Sequence, residues 1–393
     1  MPDLRLFDVA RERPPLTMTT CLQNLRGAPQ SLRIAGDCIV AVDAPPQAAD
    51  QCIDCSGLRA LPGLINAHDH LQLNGLPRLK FRRQYRHADE WISDIRPRLQ
   101  KDPELLAYRA RPMADRLLAG GLKNLLSGVT TVAHHDPAFA PMFEPDFPVH
   151  VPRRLGWSHS LGLDGEVAVQ ASHHRTPPHC PWIIHAAEGL DAADEFERLE
   201  ALGCLTPNTL LVHGLGLSEA QQQRLIRAGA GLVWCPASNL ALFDRSIDPA
   251  PLLAAGRLAL GSDSRISGSL DLLEELRVAR EVAALTEAQL EGLVTGAAAR
   301  LLRLHDRGRL APGLKADVLL LPADLPLSRA HRQDVRGLIR EGRLLLADDD
   351  LAARFDGFEG QPVSVDGRAK QLALPIAAAA ARSSLAEPGL CLA

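Results

Sequence analysis

Six short apolar runs constrain this chain more than any other feature of it. They read LPGLINAHDH, GVTTVAHHD, PWIIHAAE, NTLLVHG, AGLVWCP and RLALGSD, and most close on His, Glu or Asp. Between and after them lie stretches with helical texture at 103–126, 191–202, 218–227 and 270–284. Strand then helix, repeated, predicts a parallel sheet covered by helices. A series running from residue 61 to about 304 suits one α/β barrel of roughly 250 residues. Asp102 before Pro103 and Ser218 before Glu219 mark two helix starts. The stretch 136–179 is the least regular and is expected to hold two more strands among its prolines and histidines.

Both ends have a different texture. SLRIAGDCIVAVD near the start, and GRLAPGLKADVLLLPAD and VRGLIREGRLLL near the end, are short alternating runs broken by Gly, Pro and Asp, the pattern of antiparallel hairpins. The two ends resemble each other more than the middle, and termini often lie close together. The expected fold is α/β, a (β/α)8 TIM-like barrel with a small β-sandwich domain assembled from both termini. Its parts are 1–60 (sandwich), 61–304 (barrel), 305–375 (sandwich) and 376–393 (an Ala-rich tail, frayed or a short terminal helix).

Composition narrows the partners. With 46% hydrophobic and 23% charged residues this is an ordinary folded protein. A net charge of −4 and 4% aromatic residues argue against a nucleic-acid partner. No run approaches the roughly 18 apolar residues of a membrane span, and the first residues lack the apolar core of a signal peptide, so a cytoplasmic location is expected. Eight cysteines in 393 residues are expected to be reduced thiols, and the C-x-x-C of Cys52 and Cys55, with no second pair, is expected to be structural. A small molecule is the expected partner, with a homodimer left open.

The chemistry gathers where the strand-like runs end: His68 and His70, His134 and His135, His185 with Glu188, His213, and Asp263. His68 and His70, one residue apart, leave a strand on the same face. A barrel brings the C-terminal ends of its strands to one mouth, so ligands 100 or 200 residues apart converge there. By their joint placement these strand-end residues are therefore expected to hold a metal ion, with His68 and His70 sharing it. Other readings stand beside this one. Asp263 could cap a helix or sit in a turn, and Glu188 could supply N-terminal charge to the next helix. One of His134 and His135 could bond a neighbouring strand while the other is solvated. His173, His174, His179 and Cys180 lack regular ligand spacing and are expected to form a surface loop.

These motifs carry a resemblance. LPGLINAHDHL, GVTTVAHHD, IIHAAEG, LVHGLGLS, WCPASNLAL and ALGSDS resemble the first, second, fifth, sixth, seventh and eighth barrel strands of the amidohydrolase superfamily. LAPGLKADVLLL is similar to the strand that re-enters its β-sandwich, and the resemblance spans about residues 34–320. His185 and Glu188 in H-x-x-E, with CPASN, resemble the deaminase and chlorohydrolase branch, which contains guanine deaminase, S-adenosylhomocysteine deaminase and the triazine hydrolases. Two-metal members bridge their ions with a carboxylated lysine on the fourth strand. Here the lysines are Lys80, Lys101, Lys123, Lys315 and Lys370, none between His134 and His185. Glu144 and Glu166 remain as alternative bridges, and one divalent ion is expected, Zn²⁺ with Fe²⁺ as the alternative.

The resemblance implies a mononuclear metal-dependent hydrolase, its ion held by His68, His70, His185 and Asp263, that deaminates an amidine-like carbon of a small heterocycle by metal-hydroxide attack. Asp263 would accept the proton of the attacking water, His213 would hydrogen-bond the tetrahedral centre, and Glu188 would carry a proton to a ring nitrogen and the leaving group. Amide, lactam or carbon–halogen hydrolysis is the nearest alternative, and a non-catalytic small-molecule or metal-binding barrel a remote one. The loop after the first strand carries Arg78, Lys80, Arg82, Arg83 and Arg86. Arg78 is the candidate contact for an anionic substrate and Trp157 a candidate wall for a flat ring, against the plainer reading of a solvated basic loop.

Overall fold

The chain is seen in a computed structural model that describes residues 19–392. Five strands open it: β1 (Thr20–Gln23), β2 (Leu32–Ala35), β3 (Cys38–Val42), β4 (Gln51–Asp54) and β5 (Leu58–Pro62). The middle supplies β6 (Leu64–Asp69), β7 (Val129–His134), β8 (Gly156–Ser158), β9 (Trp182–Ala186), β10 (Thr209–His213), β11 (Gly231–Trp234) and β12 (Leu258–Leu260). The last part adds β13 (Val318–Pro322), β14 (Gly337–Arg340), β15 (Arg343–Ala347), β16 (Gly360–Val365), β17 (Arg368–Ala373) and β18 (Leu390–Leu392).

The two ends meet in the structure. β5 pairs antiparallel with β13, from Val318 opposite Pro62 to Pro322 opposite Leu58, in a sheet ordered β18-β16-β17-β15-β14-β13-β5. β1 to β4 form a second sheet ordered β3-β2-β1-β4. Leu22, Leu32 and Ile53 from that sheet share one buried cluster with Val318, Leu320 and Ile339. β13 alternates between two cores, since Leu319 and Leu321 on its other face join the cluster under the helices. The hairpin expectation holds for β2 and β3 but not for β1 and β4, which run parallel because the β2–β3 hairpin lies between them in sequence.

The middle strands pair in parallel, β6 with β7 and β8 through β12 in chain order. Every residue of β6 and β7 is buried, as strands covered on both faces must be. The Asp263 amide donates to the His68 carbonyl at 3.1 Å, tying the exit of β12 to that of β6. Ser218 caps the helix Glu219–Arg227 in a capping box with Gln221, and Asp102 caps Pro103–Arg109 through the amides of Glu104 and Leu105. The expected single helix at 103–126 is two, Pro103–Arg109 and Met113–Leu126, because Pro112 lacks an amide donor and turns the preceding residue away from helical geometry.

Two irregular regions differ from expectation. Between 136 and 179 the described residues hold one strand, β8, with an isolated bridge of Thr131 to His150. EVAVQASHHR forms a helix, Glu166–Arg175, so His173 and His174 lie in its last turn rather than in a loop, and the His173 Nε2 meets Thr206 Oγ1 at 3.0 Å. The tail is ordered into a helix, Leu374–Arg382, and the edge strand β18. Glu387 anchors it, buried between Arg265 at 2.6 Å and Arg332 at 2.8 Å. Cys52 is exposed and Cys55 buried, and both are free. No helix among the described residues is long and apolar enough to cross a membrane.

Candidate metal centre and active site

His68, His70 and His185 leave the ends of β6 and β9 with their rings packed together, and Asp263 follows β12. Ala187, His213 and Asp263 have φ of 51°, 73° and 53°. Such left-handed backbone in non-glycine residues is costly and clusters at functional sites. It turns the chain sharply where strands give way to loops.

Hydrogen bonds fix which nitrogen each histidine offers. His185 Nδ1 donates to the His159 carbonyl at 2.7 Å, and His70 Nδ1 donates to Asp136 Oδ2 at 2.6 Å. Their Nε2 atoms face each other at 3.3 Å, too close for two protonated nitrogens to share comfortably. His135 Nε2 donates to the Ser158 carbonyl at 2.8 Å, so its Nδ1 is an acceptor for His68 Nδ1–H at 3.2 Å. That leaves His68 Nε2 buried without a hydrogen-bond partner, 3.5 Å from Asp263 Oδ1. His70 Nε2 stands 3.9 Å from the same oxygen. Tetrahedral ligands about 2.05 Å from an ion lie roughly 3.3 Å apart. Ring nitrogens of His68, His70, His135 and His185 lie within 4.8 Å of one another, as do ligand atoms of His68, His213 and Asp263, so these two overlapping groups could hold a divalent cation, and their outer bonds are the kind that orient metal ligands.

Asp263 is anchored on its other oxygen, Oδ2, by the hydroxyls of Ser238 at 3.0 Å and Ser267 at 2.7 Å. Burial raises its pKa, but the hydrogen bond and charge of His68, with His213 and His70, hold it well below the usual carboxylate range. Glu188 goes the other way, pushed well above its ordinary value by burial and then by the charges of Asp263, Glu195 and Asp89. Two carboxyls in one cavity are thus driven to opposite protonation states, the arrangement of a base beside an acid. His213, lowered to about 4 by burial, donates from Nδ1 to Asn239 Oδ1 at 3.2 Å and turns Nε2 toward Glu188 Oε1 at 3.5 Å.

The alternative roles for these residues are taken by others. Asp271, not Asp263, caps the following helix. Glu195, not Glu188, stands in the first turn of the helix Ala193–Ala201 and accepts from the Ala187 amide at 2.7 Å. His134 and His135 are both buried, so neither is solvated: the Leu71 amide donates to His134 Nδ1, and His135 orients His68. Glu144 lines a separate cleft, and Glu166 pairs with Arg198 at 2.8 Å.

A cavity of about 200 Å³ opens beside the ligand set, lined by Leu73, Trp91, Ile92 and Ile266 as well as by His70, His185, Glu188 and Asp263. Arg78 and Trp157 stand apart from its lining. Arg78 is exposed and donates to the Gly268 carbonyl at 2.5 Å; Trp157 packs edge-on against His135 and His159. Asp136, Gln72 and His159 line the cavity and were not singled out by the sequence reading. Asp136 binds all three neighbours, His70, His159 at 3.2 Å and Gln72 at 2.6 Å. The one sequence signal for it was its place directly after His135 at the end of a strand-like run.

The profile of the amidohydrolase family matches residues 164–367. The 5-methylthioadenosine/S-adenosylhomocysteine deaminase of Halobacterium salinarum is 26% identical, over 81% of this chain and 88% of that protein. An adenosine deaminase structure from Xanthomonas campestris with bound zinc superposes with a TM-score of 0.67 at 19% identity, covering 85% of this chain and 94% of that one. A mutant of atrazine chlorohydrolase from Arthrobacter aurescens TC1, complexed with zinc and atraton, gives 0.69 at 17% identity, covering 83% and 95%. At these identities the two structures speak for a shared fold. With the family profile spanning just over half of a chain of that fold, the protein belongs to the amidohydrolase family.

Proposed function

We propose that the protein is a mononuclear metal-dependent hydrolase that deaminates a small heterocycle at an amidine-like carbon. The observation that carries this reading is the packing of His68 with His70, His135 and His185 and of His68 with His213 and Asp263, the buried His68 Nε2 unpartnered between them and Glu188 beside His213; in this reading His68, His70, His185 and Asp263 hold the ion. The deaminase relative and the zinc in both structural neighbours support deamination and Zn²⁺. In this reading residues 61–304 close into a (β/α)8 barrel, and the sheets built from 1–60 and 305–375 form the flanking sandwich.

A bound divalent ion supplies one thing, a water whose pKa falls from 15.7 toward about 7. Ionised Asp263 accepts the proton that water loses as it adds to the ring carbon. Glu188, held protonated, donates to the ring nitrogen beside that carbon. His213 Nε2, within reach of Glu188, hydrogen-bonds the tetrahedral centre; as that centre collapses Glu188 takes back the proton of its hydroxyl group, and the proton held by Asp263 leaves with the amine as ammonia. Hydrolysis of a carbon–halogen bond by the same residues is the second reading, favoured by the fold shared with atrazine chlorohydrolase. Ammonia release from aminopurines, aminopyrimidines and pterins by metal-loaded protein tests the first reading; chloride release from chlorinated rings with no ammonia from any amine would replace it by the second.

A further inference from the structure

We propose that the cavity selects an amino-heterocycle that is neutral or cationic and rejects one carrying a carboxylate or phosphate. This rests on the deaminase reading and names its substrate class.

Apart from histidines, the titratable side chains lining the cavity are Asp89, Asp136, Glu188, Glu195 and Asp263. Among the described residues no Arg or Lys lines it. Four of the five cations of the basic loop are engaged elsewhere, and exposed Arg83 lies outside the lining. Arg78 bonds the Gly268 carbonyl, Arg82 meets Asp94 at 2.7 Å, Arg86 reaches Asp191 at 2.6 Å and Lys80 lies 3.9 Å from Asp244. A substrate anion away from the metal would thus face the carboxylates of Asp89 and Glu195 with only His87, 3.6 Å from Asp89 and 3.7 Å from Glu195, between them, and like charges brought together in an interface act as a filter against the wrong partner.

Two polar atoms point to what is accepted instead. Gln72 and Ser264 line the cavity, and Gln72 Oε1 and Ser264 Oγ are buried without a hydrogen-bond partner. The Gln72 amide nitrogen donates to Asp136 Oδ2, which leaves its oxygen as an acceptor. Buried polar atoms are ordinarily paired, and an amino or ring N–H group is the complement of these two. Trp91, its indole N–H fixed on the Leu79 carbonyl at 2.7 Å, offers the flat wall for such a ring.

Calorimetry on the zinc-loaded protein tests the selection, using aminopyrimidines and aminopurines each paired with its ring-carboxylated analogue, with ammonia release followed in parallel. The neutral member of each pair is expected to bind about 100-fold more tightly, and Asp89→Asn to narrow that ratio by about tenfold. If no neutral ring binds better than its carboxylated partner, or if the ratio is unmoved by Asp89→Asn, the proposal is overturned. Binding and ammonia release are read separately, so a charge preference with no ammonia would sink the deaminase reading alone, and ammonia with no preference would sink the selection alone.

Discussion

In the proposed reaction Glu188 and Asp263 divide the proton work because their surroundings differ. Replacing Glu188 by Gln keeps size and some hydrogen bonding but removes the transferable proton, so kcat should fall by roughly 10²-fold or more, within the range of general acid–base catalysis, while elemental analysis finds the metal content unchanged. Near-normal turnover would mean that Glu188 is structural, although Glu195 already bonds the Ala187 amide ahead of the next helix. The same variant has a signature in stability. Glu188 keeps its proton in the folded metal-free protein above the pH at which the unfolded chain releases it. The unfolded state then binds fewer protons, and stability falls as pH rises from the ordinary glutamate pKa toward the raised one. In chelated protein, Glu188→Gln should flatten that slope, with its largest gain in urea midpoint at the alkaline end; parallel pH curves for the two proteins would refute the shift. Asp263→Asn should retain more metal than activity, since an amide oxygen still ligates weakly but takes no proton. Equal loss of both would reduce Asp263 to a ligand.

At the scale of elements, the site depends on how closely strands approach. A Cβ on Gly261, directly after β12, would lie 2.7 Å from His68 Cβ and 2.9 Å from its backbone nitrogen. Gly261→Ala must therefore push β6 and β12 apart at the first ligand, and is expected to lower metal occupancy at limiting zinc while circular dichroism stays native. Full occupancy in that variant would mean that the strands accommodate the methyl group. Lys123 acts from the helix Met113–Leu126. Fully buried, it bonds Asp69 Oδ2 at 3.1 Å, Asn74 Oδ1 at 2.9 Å, Ser262 Oγ at 3.0 Å and the Asp263 carbonyl at 2.7 Å, joining the exits of β6 and β12. Lys123→Met leaves Asp69 without its cation and should cost about 3–5 kcal/mol in urea unfolding. Nothing in LLAGGLKNLLSG announces this, because a lone lysine in an apolar helix reads as one that reaches solvent. The clustering of His68, His70 and His185 was legible for the opposite reason: strand period and the meeting of parallel strand ends are simple rules that fix their direction.

Across the whole molecule, legibility follows the range of the contacts. β6, β7 and β9 to β12 were readable because parallel strands buried on both faces are continuous apolar runs. The parallel pairing of β1 with β4, the docking of β18 and the Glu387 anchor depend on partners up to 122 residues away and left no local mark. The metal centre joins such distant parts, with ligands on β6, on β9 and after β12. An ion that binds only the folded chain stabilises it by mass action, about 2.7 kcal/mol at a free concentration 100 times the dissociation constant. Chelation should therefore lower Tm, and titrating zinc back should restore it in a concentration-dependent way. The endpoint decides the stoichiometry. The His135 Nδ1 lone pair already accepts a hydrogen bond from His68, and Glu144 and Glu166 are placed away from the cluster, so one ion is expected at the proposed centre. Recovery of Tm and of activity should both saturate at one equivalent of zinc per chain; a second equivalent bound tightly and needed for full recovery would rule out the mononuclear centre.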